Sequence, residues 1–522
     1  MKILLNITLA LCKYLYYENY TCIKQLLRYA IVLSFEVKSE AKYFEVKIME
    51  NKNEKTNSRI EMITGDPKRA IRKLSFPMML IMILVISYQV VDSIWIAGLG
   101  ADALAALGFI TPLYMIIVGL GQGLGAGSTS LIARSIGKKD HETASNAGMH
   151  AILITAVLSI VLPAILLLFL NNILIAMGAS LVLNLATEYG QIVFIGSFAL
   201  LFNLVGSSIL RAEGDMKRAT YAIALTSILN MIIAPLFIYT LNMGIKGAAV
   251  ATVLSSTIAA IAIFYWILVK KDTYITFKLE KFHFNMDIIR DILVVTVPAS
   301  VEQFIMSVLA IGINWILVMV AGTTAVAVYT AGWRIVSFGI IPALAIETGV
   351  LTVAGIAYGA RNYKNLKISC NYGIKLGVLI SIILAAVTYI FAPNIAWLFS
   401  YSANSADLTP MIAEFLRIFC VFFIAIPFGL ASTAVFQAAG KGTTSLIMVI
   451  IRDLIMSLSV AYLLGVILGW GEQGVYWGIV IGVIIGSAIS YLYFRLFLRR
   501  LDNEKADEVN LANQKKEKIS DS

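Results

Sequence analysis

Long apolar runs, separated by short polar segments, fill the chain from residue 75 to residue 498. Each run is roughly long enough to cross a bilayer once as a helix, which takes about 20 apolar residues. The pattern therefore predicts twelve membrane-spanning helices. They lie near 75–97, 103–132, 144–170, 189–211, 219–240, 247–269, 292–320, 325–357, 368–393, 409–435, 445–467 and 475–498.

The segments between these runs alternate in charge. Those that follow an odd-numbered run are short and nearly free of Lys and Arg, with Lys246 as the exception. Those that follow an even-numbered run are basic, as in Arg134–Lys139, Arg211–Arg218 and Arg361–Lys367. Because basic loops stay on the cytoplasmic side, we predict a multi-pass protein of the cell membrane with both termini in the cytoplasm.

The first six runs resemble the last six. Gly100 corresponds to Gly322, and the loop around Gly137 corresponds to the loop around Gly359, each pair 222 residues apart. An even number of spans per half gives a repeat related by an axis along the membrane normal, an arrangement known among secondary transporters. We therefore predict an all-α protein with two six-helix lobes related by a pseudo-two-fold axis along the membrane normal.

Composition agrees with this class. Of 522 residues, 59% are hydrophobic and 14% are charged, whereas soluble domains carry about 25% charged residues. The net charge of +10 follows from the basic loops, so we expect no nucleic-acid partner. Neither the four cysteines nor the three histidines cluster, which argues against a disulfide framework, a histidine metal site and clustered catalytic groups. We expect no enzyme activity and no cofactor.

The domain organisation follows from these runs. We predict an N-terminal tail over 1–60, a first lobe over 61–270, a cytoplasmic linker over 271–291, a second lobe over 292–498 and a disordered cytoplasmic tail over 499–522. Met49 opens a polar lead-in with a basic cluster, so we expect translation to start there or later. We also expect a monomer.

A single carboxylate marks the first span. Asp92 lies six residues before Gly98, inside the apolar run that opens at Pro77. An ionisable group within a span is costly and is a functional candidate by default. The predicted hairpin of the fifth and sixth spans turns at Leu241–Lys246 and so places Asn230 and Thr252 at about the same depth. Carboxylate, amide and hydroxyl oxygens suit Na⁺ or a proton relay.

Six segments carry a resemblance to a known family. They are GDPKRAIRKLSFP at 65–77, QVVDSIWIAGLGADALAALG, SLIARSIGKKD, LRAEGD at 210–215, LNMIIAPLFIY followed by MGIKGAAVAT, and PASVEQ at 298–303. In this order the chain resembles the MATE (multidrug and toxic compound extrusion) family, in its DNA-damage-inducible-like and archaeal branch. The resemblance implies a V-shaped pair of lobes that exports cationic, amphipathic molecules against inflow of Na⁺ or H⁺, with cation coupling at the positions of Asp92, Asn230 and Thr252.

One position departs from the family pattern. The pattern N-x-x-x-D-P implies an aspartate four residues after Asn230, where this chain has Ala234. The possible Na⁺ site therefore has one carboxylate fewer, and we expect it to work through Asp92 alone. The missing carboxylate favours H⁺ as the coupling ion more than the family pattern alone does.

Further polar residues are candidates for the substrate cavity. They are Tyr88 and Gln89 in the first span, and Glu302, Gln303 and Asn314 in the seventh. Asn314 lies 222 residues after Asp92, at the corresponding position of the repeat.

Three other features are expected to be structural. We expect Glu347 to pair with Arg334, and we expect Arg452 and Asp453 to need separate partners because adjacent helical residues do not face each other. Gly119, Gly123 and Gly127 have the four-residue spacing of close helix packing in membranes, which we prefer over a nucleotide-binding loop.

We therefore predict a secondary active efflux antiporter for multiple drugs or organic cations, driven by inflow of H⁺ or Na⁺, with alternating access centred on Asp92. The alternative is a flippase for lipid-linked oligosaccharides or other lipids, which would favour a strongly cationic cavity. A membrane-embedded enzyme is a more distant alternative.

Overall fold

The computed structural model describes residues 56–270, 273–277, 282–399 and 408–520. The chain divides into two units, Met1–Ser58 and Arg59–Ser522. Of the first unit, only residues 56–58 are described, and they are helical. The expected translation start at Met49, and most of the predicted N-terminal tail, lie outside the described residues. Everything that follows lies in the second unit.

The second unit is built from helices, and its described residues contain no strand. In chain order the helices are α1 Pro67–Ala97, α2 Ala101–Gly137, α3 His141–Ala176, α4 Leu183–Ile195, α5 Ser197–Ala212, α6 Met216–Pro235, α7 Ile245–Phe264, α8 Met286–Gly359, α9 Tyr363–Phe399, α10 Thr409–Ala438, α11 Gly442–Val449, α12 Ser457–Tyr462 and α13 Gly471–Ser520. Wider π-helical turns follow α6, α7, α11 and α12, at Leu236–Thr240, Tyr265–Val269, Ile450–Met456 and Leu463–Ile467.

Ten described helical segments are long and apolar enough to cross a membrane, and α4 with α5 makes an eleventh that is bent by 49°. The 74 residues of α8 would extend about 110 Å as one straight helix, several times the thickness of a bilayer. Its backbone leaves the helical region at Gly322 (φ 74°, ψ −164°), so α8 contains two spans. The described residues therefore contain the twelve predicted spans.

The buried apolar residues form one shared cluster at one end of the molecule and separate clusters at the other end. At the end with the basic loops, hereafter the basic end, one cluster draws on both halves of the sequence, from Ile63 to Leu501. At the opposite end the clusters are separate: one draws on residues 96–251 and the other on residues 309–483. The two halves thus pack together at the basic end and have separate cores at the opposite end.

Glycines allow this close approach at the basic end. A Cβ on Gly123 of α2 would lie 2.7 Å from the carbonyl oxygen of Thr296 in α8, and a Cβ on Gly127 would lie 2.5 Å from that of Ile292. Such distances are too short for a real side chain, so these positions require glycine. The predicted packing role of these two glycines is confirmed, and their contact surface lies between the two halves.

The linker between the halves docks on the first half. A Glu213 carboxyl oxygen, between α5 and α6, accepts hydrogen bonds from the backbone N–H groups of Tyr274 (2.8 Å) and Ile275 (3.2 Å). The backbone N–H of Asn285, the residue that caps α8, donates to Nε2 of His150 in α3 (3.0 Å). Burial raises the pKa of Glu213 from an ordinary value near 4.5 to about 8, while the nearby Arg59 opposes this rise.

The C-terminal tail is helical. Helix α13 continues to Ser520 and so includes most of the segment for which the sequence predicts a disordered tail. Leu501 is buried in the shared cluster of the basic end. Glu508 accepts a hydrogen bond from Arg361 (2.7 Å), in the loop between α8 and α9. These contacts give the charged tail packing partners that its composition alone did not reveal.

Candidate functional site

The predicted pair of Asn230 and Thr252 is in contact. Helices α6 and α7 are joined by a short turn in which Asn242 (φ 49°) and Gly244 (φ 57°) adopt left-handed conformations. This hairpin brings Nδ2 of Asn230 within 3.0 Å of Oγ1 of Thr252, to which it donates. The Thr252 hydroxyl in turn donates to the carbonyl oxygen of Ala248 (3.1 Å). The predicted equal depth of these two residues is confirmed.

Asp92 of α1 lies beside a group of tyrosines. The phenol groups of Tyr88, Tyr114 and Tyr189 are all near enough to interact electrostatically with its carboxylate. Tyr189 of α4 also contacts the Thr252 side chain. Tyr189 therefore lies near both Asp92 and the Asn230–Thr252 pair. Tyr189 is not among the predicted residues, because nothing in its local sequence distinguishes it from an aromatic residue that only packs.

Two oxygen atoms at this site lack a hydrogen-bond partner. Oδ1 of Asp92 and Oδ1 of Asn230 are both buried and both unpartnered. Buried polar atoms are nearly always satisfied in folded proteins, so such atoms call for a ligand, a proton or a water molecule. Carboxylate and amide oxygens are hard donors that suit Na⁺ or a proton. Ala234 is fully buried in the apolar cluster of this half and supplies no further donor.

The second-half candidates are dispersed along the first arm of α8. Glu302 accepts hydrogen bonds from Ser445 (2.8 Å) and from Gln437 (3.1 Å), so its carboxylate is held within its own half. Gln303 is exposed and lies against Gly119 of α2. A Cβ atom on Gly119 would be 3.4 Å from the Cβ atom of Gln303. Oδ1 of Asn314 is buried without a partner, as is Oδ1 of Asp92 at the corresponding position.

On the first half, the structure brings Tyr88 to Asp92, as described above. Gln89 is exposed on α1, and its backbone oxygen accepts a hydrogen bond from Ser93 (2.8 Å). The structure thus groups Asp92, Asn230, Thr252 and Tyr88, and it does not bring Glu302 into that group.

Two expectations about charged residues are wrong. Glu347 interacts electrostatically with Glu302, Arg452 and Asp453, and not with Arg334. Arg452 and Asp453 pair with each other in a two-pronged contact, with Nε–Oδ1 at 2.8 Å and Nη2–Oδ2 at 2.7 Å. Both lie in the π-helical turn Ile450–Met456, so the spacing rule for a regular α-helix does not apply there.

Twelve spans in two similar halves, with a polar site inside one half, define a membrane transporter of the two-lobe type. A comparison with family models gives the particular family. The model described as MatE matches residues 77–236 and 298–463, so the chain belongs to the MATE family. Members of this family are transporters and not enzymes.

Curated relatives and a solved structure support the same assignment. The probable multidrug resistance protein YpnP of Bacillus subtilis is 28% identical over 441 residues, which cover 83% of this chain and 95% of that protein. The multidrug export protein MepA of Staphylococcus saprophyticus is 24% identical over 445 residues, covering 84% and 96%. A structure of a multidrug resistance MATE family transporter in the outward-facing conformation is 38% identical with a TM-score of 0.82, covering 85% and 98%.

Proposed function

We propose that this protein is a secondary active antiporter that exports amphipathic organic cations in exchange for inflow of H⁺ or Na⁺, with coupling centred on Asp92. The coupling group comprises Asp92, Asn230 and Thr252. The observation that carries this proposal is the pair of buried, unpartnered oxygens on Asp92 and Asn230. Tyr189 lies near Asp92 and contacts Thr252, which is the hydrogen-bond partner of Asn230.

The packing of the two halves supports alternating access. Basic loops mark the cytoplasmic side, so the shared core of the basic end closes the transporter toward the cytoplasm. The separate cores at the opposite end suit an outward-open state, and the similarity to a structure in the outward-facing conformation agrees. We place both termini in the cytoplasm and the protein in the cell membrane, as a monomer with lobes over 61–270 and 292–498.

The coupling step follows from the cost of a bare charge. In the outward-open state the ionised Asp92 binds H⁺ or Na⁺ from outside, which removes the cost of an unpaired carboxylate within a span. Neutralisation lets the helices of the first half repack and weakens the binding of the substrate. By linkage, the ion and the substrate need only weaken each other's affinity for the exchange to be coupled.

The test is efflux of ethidium from proteoliposomes under a Na⁺ gradient alone and under a pH gradient alone. Wild type is compared with Asp92→Asn and with the control Asp102→Asn, an exposed acid at the start of α2. We expect a response to one gradient, its loss in Asp92→Asn and its retention in Asp102→Asn.

Two outcomes would count against this proposal. If wild type responds to neither gradient, the flippase alternative gains, and transbilayer movement of lipid-linked substrates becomes the assay. If Asp92→Asn transports at the wild-type rate, the coupling role of Asp92 is wrong, although the family assignment stands.

A further inference from the structure

An open pocket of about 410 Å³ lies along the second arm of α8, after Gly322. Its lining residues are Thr323, Val326, Ala327, Thr330, Ala331 and Arg334. Thr323, Ala327, Thr330 and Arg334 are all exposed, and their spacing of three or four residues places them on one face of the helix. This face therefore offers two hydroxyl groups and one guanidinium group.

The depth of Arg334 requires water beside it. Arg334 lies twelve residues after Gly322, which is about 18 Å along the helix, past the middle of a hydrocarbon layer about 30 Å thick. A guanidinium group at that depth is found facing a bundle interior or a water-filled cavity, and not the lipid chains. The opposite side of this arm packs on its own half, because Gly332 lies directly against the Phe415 ring and Tyr329 contacts the same ring.

The same helix face forms the contact between the halves further along. Thr323, Arg334, Ala345 and Ile356 follow one another at intervals of eleven residues, close to three helical turns, and the helix stays continuous through Pro342. Ala345 is fully buried in the cluster shared by both halves. The Ile356 carbonyl oxygen lies directly against Gly137 of α2. Arg334 therefore lies on the side of α8 that faces the first half, above the level at which the halves close.

Arg334 has no carboxylate within ion-pair distance among the described residues. Two acids within the spans of its own half have other partners: Glu302 binds Gln437 and Ser445, and Asp453 binds Arg452. Glu347 interacts with Glu302, Arg452 and Asp453. An exposed guanidinium group at this depth, in a pocket with two hydroxyl groups, therefore fits an acidic group that enters from the cleft.

We propose that this pocket binds the acidic group, a carboxylate or a phosphate, of an amphipathic substrate, with Arg334 as its ion-pair partner and Thr330 beside it. The preferred substrates of this chain then carry an acidic group in addition to a cationic one. This inference rests on the proposed transport function for its physiological meaning, but its binding test does not require transport.

The test uses two dyes that differ in one group. Rhodamine 6G is an ester with a cationic ring system, and its free acid carries the same ring system with a carboxylate. Fluorescence anisotropy with the full chain in a non-ionic detergent measures the affinity for each dye. We expect wild type to bind the free acid about tenfold more tightly than the ester, since charge-assisted Arg–carboxylate pairs are among the stronger hydrogen bonds.

Substitutions at Arg334 test whether this residue causes the preference for the free acid. Arg334→Gln should abolish it, and Arg334→Lys should retain part of it because the charge remains. The matched control is Arg417→Gln, an exposed arginine of the same half that lies over the Tyr389 ring at 5.7 Å. This control should keep the wild-type preference.

Three results would overturn the proposal. They are equal affinity of wild type for the two dyes, a preference that survives Arg334→Gln, and displacement of the free acid by millimolar inorganic phosphate, which would make the ligand a small anion. If the preference is found but Asp92→Asn efflux equals that of wild type, the coupling proposal fails while this one stands.

Discussion

At the scale of single residues, hydrogen bonding fixes the orientation of the Asn230 amide. The Thr252 hydroxyl has one proton, which it donates to the Ala248 carbonyl oxygen, so it can only accept from its other neighbour. The Asn230 side chain must therefore present its NH₂ group to Thr252. Its oxygen is left directed elsewhere, unpartnered and available to an ion.

We predict that Thr252→Val weakens coupling-ion binding about tenfold. The Asn230 amide loses the hydrogen-bond acceptor that orients it, and this loss costs roughly 1–2 kcal/mol. The measurement is the Na⁺ concentration, or the pH, that gives half-maximal efflux. Thr257→Val is the control, because Thr257 lies on the same helix and donates only to the Val253 carbonyl oxygen (2.7 Å). An unchanged half-maximal value in Thr252→Val would contradict the role of this contact.

The sequence predicted four residues of this group, Asp92, Asn230, Thr252 and Tyr88, but not Tyr189. Asp92 is recognisable because a charged residue within an apolar run is rare. Asn230 and Thr252 are recognisable because the predicted helical hairpin places them at the same depth in the membrane. Tyr189 comes from α4, whose bend relative to α5 at Gly196 is a tertiary feature. An aromatic residue in a span gives no sign of which neighbour it touches.

A second prediction at this scale concerns Ala234, which occupies the position where the family pattern has an aspartate. We expect Ala234→Asp to place a carboxylate one helical turn from Asn230 in a buried position. Without Na⁺ the melting temperature should fall, because an unpaired buried charge is destabilising. Na⁺ should restore it more than it stabilises wild type.

The measurement is thermal unfolding in NaCl and in choline chloride. Ala234→Asn is the control, since it has a similar size and no charge, and it should show no Na⁺-dependent gain beyond that of wild type. If Ala234→Asp responded to Na⁺ no more than Ala234→Asn, the geometry proposed for the ion site would be wrong.

At the scale of elements, the π-helical turn Ile450–Met456 departs from the regular helical periodicity on which the sequence predictions rest. Periodicity identifies an apolar helix over 445–467 but assumes 3.6 residues per turn throughout. The wider turn redirects side chains, and Arg452 and Asp453 become partners although they are adjacent. The span was therefore predictable, whereas the ion pair was not.

The glycines of α2 allow a prediction about the contact between the halves. Gly123→Ala would push a methyl group against the Thr296 carbonyl oxygen and the Ser300 side chain. We expect it to destabilise the state that is closed at the basic end by about 1–3 kcal/mol, as overpacking does. Gly108→Ala is the control on the same helix, because its Cβ would meet nothing within 4 Å and it changes only helix propensity, by up to about 1 kcal/mol.

The measurement is the distance distribution between spin labels at Lys139→Cys and Asn362→Cys, in loops of the two halves at the basic end. Gly123→Ala should increase the fraction of long distances, and Gly108→Ala should leave the distribution as in wild type. Identical distributions for both variants would mean that this contact does not limit opening.

At the scale of the whole molecule, the repeat and the twelve spans could be read from the sequence, but the arrangement of the cores could not. Gly100 and Gly322 recur at one offset because both halves use the same turn. Which end closes depends on contacts between residues more than 150 positions apart, such as Gly123 with Thr296. No local pattern encodes such contacts.

The linker that joins the halves is tied to the first half through Glu213, and this gives a prediction of pH dependence. Its pKa is raised by burial to about 8 in the folded protein, against about 4.5 when exposed, with Arg59 and Asp215 as its charged neighbours. Below pH ~4.5 the carboxyl is protonated in both states, so its contribution to the free energy of unfolding is fully present. As pH rises toward 8, only the unfolded state ionises, and this contribution is lost.

We therefore expect the wild-type melting temperature to fall between pH 5 and pH 8, by an amount that corresponds to a few kcal/mol at most. Glu213→Gln should remove most of that slope because the amide does not ionise. Glu142→Gln, which changes an exposed carboxyl on α3, should retain it. A slope in Glu213→Gln equal to that of wild type would show that another group titrates. The docking of the linker would then be independent of pH in this range.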